Sequence, residues 1–326
     1  MIENHKIQSL IFTYSSGLAD NWQMRPYTLK QINTFIEVAK EKSISKAADN
    51  LYVTQPAISM QIKQLEDVFG LPLLEPVGRN IQLTSAGKAF LEQVLTVASE
   101  LKDLEALMAG HRNLGGGVIY LGIVSTTKYF VPMLLVEFRK LFPGIEVILK
   151  IDNRENILSM LARNEVDLVI MGRAPQEMEC EAVPFVTNPM AIVSSPSHPF
   201  SRRKQLAFKD LEGQEFVVRE LGSGTRQAME RLFRENQTEL TIAMEMPSNE
   251  TIKQAVMAGM GMSFLSLRTV RHEMGTGHIA LLDIVGLPHV GHWYITHRVQ
   301  KKLSPAAKAF KEFVIEQGSP RLNVWA

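Results

Sequence analysis

Thr54, Gln55, Pro56, Ser59, Met60 and Lys63 surround four apolar residues, Ile58, Ile62, Leu65 and Phe69, that recur at helical spacing. The apolar set packs inward. The opposite stripe, with Pro56, Ser59, Met60 and Lys63, keeps the same period but has little to give a core, so it needs an outside partner. If the segment is the second helix of a helix-turn-helix, its N-terminal end enters the DNA major groove. Gln55, Pro56, Ser59 and Met60 then face base edges, and Lys63 lies nearer phosphate. The competing reading is a three-helix bundle used only for packing.

A second chemistry is anion binding. Ser125-Thr126-Thr127 follows a strand-like run and precedes a helix, and Ser223-Gly224-Thr225 does the same farther on. Hydroxyls and backbone N–H groups can meet an anion at such helix N-termini. Lys128, Arg154, Arg173 and Arg226 stand nearby in sequence and offer charge-assisted bonds. Against this, each hydroxyl could be a plain helix cap and each arginine a solvated surface group.

Other chemistries fail on spacing. Gly222-x-Gly224 lacks the Lys-Ser/Thr of an NTPase phosphate loop, and Gly259-x-Gly261 lacks the third glycine of a dinucleotide fingerprint. His289-x-x-His292 has no acidic or thiol companion, so it reads as strand decoration, not a metal site. Cys180 has no neighbouring base and reads as a buried or neutral thiol. The sixteen methionines, Met257, Met260 and Met262 among them, read as core filler. No positioned nucleophile, base or metal set points to an enzyme, and no cofactor is expected.

The elements that must position these residues follow from periodicity. Leu29, Ile32, Phe35, Ile36 and Ala39 make one amphipathic helix, and Ile44, Ala47, Ala48 and Leu51 a short second one. Tyr52-Val53 is a tight connection, Thr54 caps the third helix and Pro56 sits in its first turn. Residues 73–84 read as a hairpin around Gly78-Arg79-Asn80, with Arg79 at the tip reaching for phosphate. A helix from Ser85 to about Arg112 carries Phe90, Val94, Val97, Leu101, Leu104 and Met108 at heptad spacing, a dimerisation seam; the alternative is a helix packed on its own domain. Beyond the hinge at Gly115-Gly116-Gly117, strands (Val118–Val124, Ile145–Ile151, Asp167–Met171) alternate with helices (Val131–Leu141, Ile157–Ala162). A second set follows: strands at Met190–Ser194, Glu215–Arg219 and Leu240–Met246, with helices at Thr225–Glu235 and Glu250–Ala258. Strands near His278–Ile284 and His292–Thr296 and a helix from Pro305 to Glu316 return the chain. Two lobes with crossing connections imply a cleft.

Composition sets bounds. With 326 residues, 45% of them apolar, the chain can fill two or three domains. A formal net charge of +1 gives no global basic signature, so nucleic-acid binding must rest on local geometry. The lone cysteine suits a reducing compartment. No apolar run is long enough to span a bilayer, and Leu10-Ile11-Phe12 is too short for a signal-peptide core. The expectation is a cytoplasmic protein without a membrane partner. Residues 1–23 show no periodicity, and residues 1–26 read as a disordered extension, or translation begins at Met24.

Residues 27–87 resemble the winged helix-turn-helix of LysR-type transcriptional regulators. The resemblance rests on Leu29-x-x-Ile32-x-x-Phe35, Ser45-Lys46-Ala47-Ala48, Thr54-Gln55-Pro56-Ala57-Ile58-Ser59, Leu65-Glu66 with Gly70-x-Pro72-Leu73, and Leu83-Thr84-x-Ala86-Gly87. It adds Lys46 to the DNA-binding set. The family often has Arg where this chain has Met60, and Phe-x-Arg where it has Leu74-x-Pro76, so contacts made by those arginines do not carry over. The rest of the chain resembles the family's effector domain, an α/β fold of two lobes like type 2 periplasmic binding proteins. Within the family it is most similar to regulators of Calvin-cycle (RuBisCO) operons, through Thr126-Thr127-Lys128-Tyr129-Phe130-Val131-Pro132, Asn153-Arg154-Glu155, Ile170-Met171-Gly172-Arg173, Arg219-Glu220-x-Gly222-Ser223-Gly224-Thr225-Arg226, Ser248-Asn249-Glu250 with Lys253-Gln254-Ala255-Val256, and Leu303-Ser304-Pro305-Ala306-Ala307. That adds Asn153, Gly172 and Asn249 to the effector set.

The resemblance implies a winged helix-turn-helix over 27–84, a linker helix over 85–114 and an effector domain over 115–326. Lobe I then holds about 118–187 and 289–326, and lobe II about 188–288. It further implies a double-stranded operator, a homodimer assembling into a homotetramer, contact with RNA polymerase, and a sugar phosphate or nicotinamide nucleotide as effector. The alternatives are a regulator of an unrelated operon with another inducer, or a solute-binding protein.

Overall fold

The computed structural model describes residues 27–77, 80–112 and 116–324. The expected extension over 1–26 and Arg79 of the hairpin tip lie outside the described residues. The chain divides into two compact units, residues 1–98 and 99–326.

In the first unit, helix α1 (Leu29–Glu41) starts at a capping box. The Thr28 hydroxyl accepts the Gln31 N–H, and the Gln31 carboxamide accepts the Thr28 N–H at 2.7 Å. Lys42 ends it in the left-handed region. Ser43 caps α2 (Ile44–Asn50), and Thr54 precedes α3 (Gln55–Phe69), which Gly70 terminates at φ 67°. Phe35, Ala47, Ile58 and Leu65 are fully buried where the three helices meet. Each large side chain there contributes roughly 1.5–3 kcal/mol by leaving water. Strands β1 (Leu74–Val77) and β2 (Asn80–Leu83) pair antiparallel. The Glu66 carboxylate of α3 pins the approach to β1 by accepting the Leu73 and Leu74 N–H groups at 2.7 and 3.1 Å. Helix α4 runs over Ser85–Arg112.

The second unit is built on a sheet in the order β4-β3-β5-β11-β6-β10. Strands β3 (Gly117–Val124), β4 (Ile145–Asp152) and β5 (Leu168–Met171) are parallel, linked by α5 (Val131–Leu141) and α6 (Arg154–Ala162). Two long strands cross from lobe to lobe: β6 (Cys180–Ser194), and β11 (His289–Arg298), which pairs antiparallel with both β5 and β6. Lobe II adds β7 (Glu215–Arg219) parallel to β8 (Thr241–Met246), with α7 (Gly224–Glu235), α8 (Asn249–Met257), β9 (Ser263–Ser266), α9 (Leu267–Gly275) and β10 (Ala280–Leu281). Helix α10 (Pro305–Val324) returns to lobe I, where Phe310 meets Phe138 edge-on at 4.9 Å. Phe216 and Phe233 centre the lobe II core.

Three expectations need correction, and one strand with the helix after it has no counterpart in the sequence reading. Met190–Ser194 is only the end of the 15-residue β6; Pro184 and Pro189, which lack the N–H a ladder uses, hide its first part in sequence. The strand expected over His278–Ile284 shrinks to Ala280–Leu281. Strand β9 and helix α9 went unread, because a four-residue strand running into a short helix leaves no sustained period. The last helix continues past Glu316 and Pro320 to Val324.

Among the described residues no helix is long and apolar enough to cross a membrane, and no cluster of potential metal ligands occurs.

Candidate functional site

Lys46, Thr54, Gln55, Pro56, Ser59, Met60 and Lys63 are all exposed, Met60 at 58%. Two glutamines of α3 are tied down: Gln61 accepts the Thr34 hydroxyl at 2.7 Å, and Gln64 accepts from Gln31 at 2.8 Å. Those bonds fix α3 on α1. Thr54 corrects the expectation of a side-chain cap, for its hydroxyl makes no capping bond. Pro56 has no N–H to offer, and the Ala57 N–H goes to the Thr54 carbonyl at 3.0 Å. Among the described residues the Thr54 hydroxyl therefore has no capping partner, and it lies at a helix N-terminus, where backbone dipoles favour phosphate.

The proposed seam on α4 divides. Val94 is buried in the first unit's core, and the Phe90 ring packs 5.1 Å from Phe35 and 5.0 Å from Phe69, so these two serve their own unit, the alternative the sequence left open. Val97 and Leu104 are exposed at 42% and 53%, and Leu101 is half-buried. Nothing is described of the Met108 side chain.

Between the lobes lies a cavity of about 80 Å³. Lobe I supplies Ser125 and Thr126, from a 3-10 turn over Ser125–Tyr129, together with Asn153, Arg154, Gly172 and Arg173. Lobe II supplies Arg219, Gln227, Arg231 and the start of α7, Ser223 to Thr225. The crossing strands close the floor with Asn188, Met190 and Trp293. His289, the first residue of β11, lines the wall as well; it is on a strand, as its sequence reading has it, and in addition faces the cleft.

Arg219, buried at 3% exposure, joins the lobes. It donates to Asn249 Oδ1 at 2.7 Å, to Ser125 Oγ at 3.1 Å and, through two nitrogens, to both Glu220 oxygens at 2.7 and 2.8 Å. Asn249 in turn donates to Thr126 Oγ1 at 3.4 Å, and the Glu155 N–H to the Gly222 carbonyl at 3.2 Å. Gly222 sits at φ 82°, in the left-handed region that strains any residue with a Cβ, so this lobe contact favours glycine. Arg154 donates to the Arg173 carbonyl at 2.7 Å and to Glu177 at 3.2 Å; although partial burial works against it, backbone N–H donors, that of Gln176 at 2.7 Å first among them, and then the Arg154 charge hold the Glu177 carboxyl below its usual range. The Arg173 guanidinium donates to the neutral Gln176 at 2.7 Å and has no acidic partner among the described residues. Ser223 is buried at 2% exposure yet caps nothing, so its hydroxyl is available to the cavity.

Four residues of the expected effector set stand off the cavity wall. Thr127 is fully buried and donates to the Val124 carbonyl at 2.8 Å. Lys128 points toward Glu250 on the outer side. Arg226 is buried among Glu230, Glu245 and the Arg219 carbonyl. Asn249 acts through Arg219 and Thr126. Asn153 lines the cavity but also caps α6 by accepting the Asn156 N–H at 3.0 Å. Sequence reasoning missed Arg219, Asn188 and Trp293. For Arg219, the signal was a charged residue directly following the apolar run Phe216–Val218.

The Cys180 thiol is half-buried, and burial pushes it up from its usual value, so it stays neutral. Met262 is fully buried, whereas Met260 is 40% exposed and is not core filler.

Comparison with known proteins bears on both sites. The family model for the bacterial regulatory helix-turn-helix protein, lysR family, matches residues 29–88, and the LysR substrate binding domain model matches residues 112–319. A RuBisCO operon transcriptional regulator of Allochromatium vinosum is 39% identical over 90% of this chain and 97% of its own. The HTH-type regulator CbbR of Rhodospirillum rubrum is 44% identical over 89% and 96%. The regulatory domain of Synechocystis CcmR, solved in complex with 2-PG, is 35% identical with TM-score 0.59 and covers 61% of this chain and 98% of its own. Full-length CbnR, solved with its target DNA, matches in fold at TM-score 0.62, 24% identity, 88% of this chain and 98% of its own.

Proposed function

The chain belongs to the LysR family of bacterial transcription regulators, which are not enzymes, and from that premise we propose that it controls carbon-fixation genes in response to a small phosphorylated metabolite held between its lobes. The observation that carries this reading is the cleft itself. Ser223, Arg173 and the backbone N–H groups at the start of α7 offer donors to an anion from two lobes that Arg219 already bridges. A volume of about 80 Å³ favours a compact phosphate over a nicotinamide dinucleotide, since clefts for larger ligands run to roughly 300–1,000 Å³. The 2-PG in the name of the CcmR structure, 2-phosphoglycolate, has that character.

In this reading Lys46, Thr54, Gln55, Pro56, Ser59, Met60 and Lys63 meet an operator duplex, and Arg79 the flanking phosphate. Val97, Leu101 and Leu104 pair two subunits, four make the full assembly, and bent DNA presents RNA polymerase to the promoter, all within the cytoplasm. The ligand acts by population shift, binding one lobe arrangement better than the other. The test is a thermal-shift series with 2-phosphoglycolate, ribulose bisphosphate and NADPH, followed by footprinting on the carbon-fixation promoter. A ligand at 100 times its dissociation constant stabilises by about 2.7 kcal/mol, a readily measured rise in melting temperature. Absence of any rise, or a footprint indifferent to the ligand that binds, contradicts the proposal.

A further inference from the structure

The crossing strand β6 has a cavity on each side. Asn188 and Met190 line the cleft, while the alternate residues Thr187 and Pro189 line a groove of about 680 Å³ on the opposite face. Its floor is apolar, formed by Phe130, Met133 and Met274, and its rim carries Arg268 and Arg271, one helical turn apart on α9. Neither arginine has an ion pair or hydrogen bond among the described residues. Arg268 Nε is buried without a partner, its guanidinium 6.0 Å from the Phe130 ring centroid. The fully buried arginines of this unit are matched by acids: Arg154 by Glu177, Arg219 by Glu220, Arg226 by Glu230. Lys253, beside the groove, is already neutralised by Glu250 and Glu273. Burial and the charge of Arg271 both depress the Arg268 pKa, and a bound anion relieves that repulsion and satisfies the orphan donor.

We propose that this groove is a second small-molecule site, for an organic phosphate with an aromatic body, a nucleotide in chemical class. Its phosphate lies on Arg268 and Arg271, whose forked donors match phosphate oxygens, and its ring lies on the methionine floor. The groove's volume falls in the range that such ligands occupy, roughly 300–1,000 Å³.

The two cavities share one element. Ser125 and Thr126 line the cleft, Tyr129 at the other end of the same turn lines the groove, and the Tyr129 hydroxyl donates to Glu250 across the lobes. Ligands at the two sites therefore change each other's affinity by the same factor. The groove site stands independently of what fills the cleft; the coupling rests on the cleft reading.

Calorimetric titration of the full chain with AMP, ADP, NADPH and inorganic phosphate tests this. A nucleotide should bind saturably alongside 2-phosphoglycolate, and Arg268→Ala/Arg271→Ala should weaken it at least tenfold while leaving 2-phosphoglycolate binding intact. Should the double variant unfold, the exposed Arg271→Ala alone should still weaken the nucleotide severalfold. Thr126→Val should lose the 2-phosphoglycolate response and keep nucleotide binding. The proposal is overturned if no nucleotide binds, if both arginine variants bind as well as the parent, or if 2-phosphoglycolate displaces the nucleotide and Thr126→Val abolishes it. Failure of 2-phosphoglycolate alone counts against the cleft reading and leaves the nucleotide result to judge the groove.

Discussion

Arg219 touches Ser125 of one lobe and Asn249 of the other while Glu220 balances its charge, so its removal orphans three polar partners at once. Arg219→Gln should cost about 1–3 kcal/mol of stability through those unmade bonds and abolish the response to 2-phosphoglycolate, with operator affinity retained. Thermal unfolding and effector titration on operator-bound protein measure both effects; a full ligand response in the variant would remove Arg219 from the cleft's working parts. On α3 the exposed residues divide by the chemistry they offer. Ser59→Ala should lose about 1–3 kcal/mol at one base position, whereas Lys63→Ala should weaken binding on every sequence and lower the salt slope by about one. Binding to an operator and to scrambled DNA across a salt series separates the two, and identical behaviour of both variants would contradict the groove-facing assignment. The α3 stripe was legible because the apolar positions beside it have a strict period. Arg219 was not, because its role depends on Ser125, 94 positions away.

Each unit depends on a few junctions between elements. Gly87, near the start of α4, faces the Leu73 carbonyl, and a Cβ there would sit 2.0 Å from that oxygen. Neither backbone can yield without moving the hairpin, which Glu66 and the Thr84 N–H also hold to Leu73. Gly87→Ala should therefore destabilise the first unit by about 1–3 kcal/mol, the usual range for overpacking. The measurement is chemical denaturation of the variant, with a second helical glycine replacement, Gly275→Ala, as a control without a clash, since its φ is not positive and nothing lies within 4 Å of its Cβ. Equal losses in the two variants would show that the Leu73 contact is not what matters. Helix α4 teaches a related point. Its heptad spacing is real, but the first two seam residues are taken by Phe35, Phe69 and their neighbours. Periodicity identifies an apolar face without saying which partner covers which part of it.

At the scale of the whole molecule, pH acts through histidines buried neutral. His297 in β11 and His198 after β6 both titrate below their ordinary 6.5, chiefly because burial disfavours the charged ring. The folded-state value lies below the unfolded one, so the unfolded chain binds protons first as pH falls. The stability they contribute is complete above about pH 6.5 and is lost progressively as pH drops toward the lowered folded values. Melting temperature should therefore decline between pH 7.5 and pH 5, and His297→Gln should flatten the decline in part, since His198 remains. A variant curve parallel to the parent's would place the effect elsewhere. The same crossing strands that hold His297 also carry the lobes, so any change in lobe angle passes through β6 and β11.

The helix-turn-helix, the hairpin, the bounds of α4 and most strands of the α/β unit follow from the sequence by itself, because local periodicity, capping residues and turn chemistry act over a few neighbouring positions. The exposed stripe on α3 and the hydroxyl-bearing turns at Ser125 and Ser223 follow from it for the same reason. Only the tertiary structure decides that Arg219 joins two lobes and that Arg226 is bound by its own acids. It alone shows that His289 faces the cleft and that Arg268 and Arg271 stand over an apolar groove without an acidic partner among the described residues. Those facts depend on which distant segments two crossing strands bring together, and a distance between residues far apart in the chain leaves no local pattern to read.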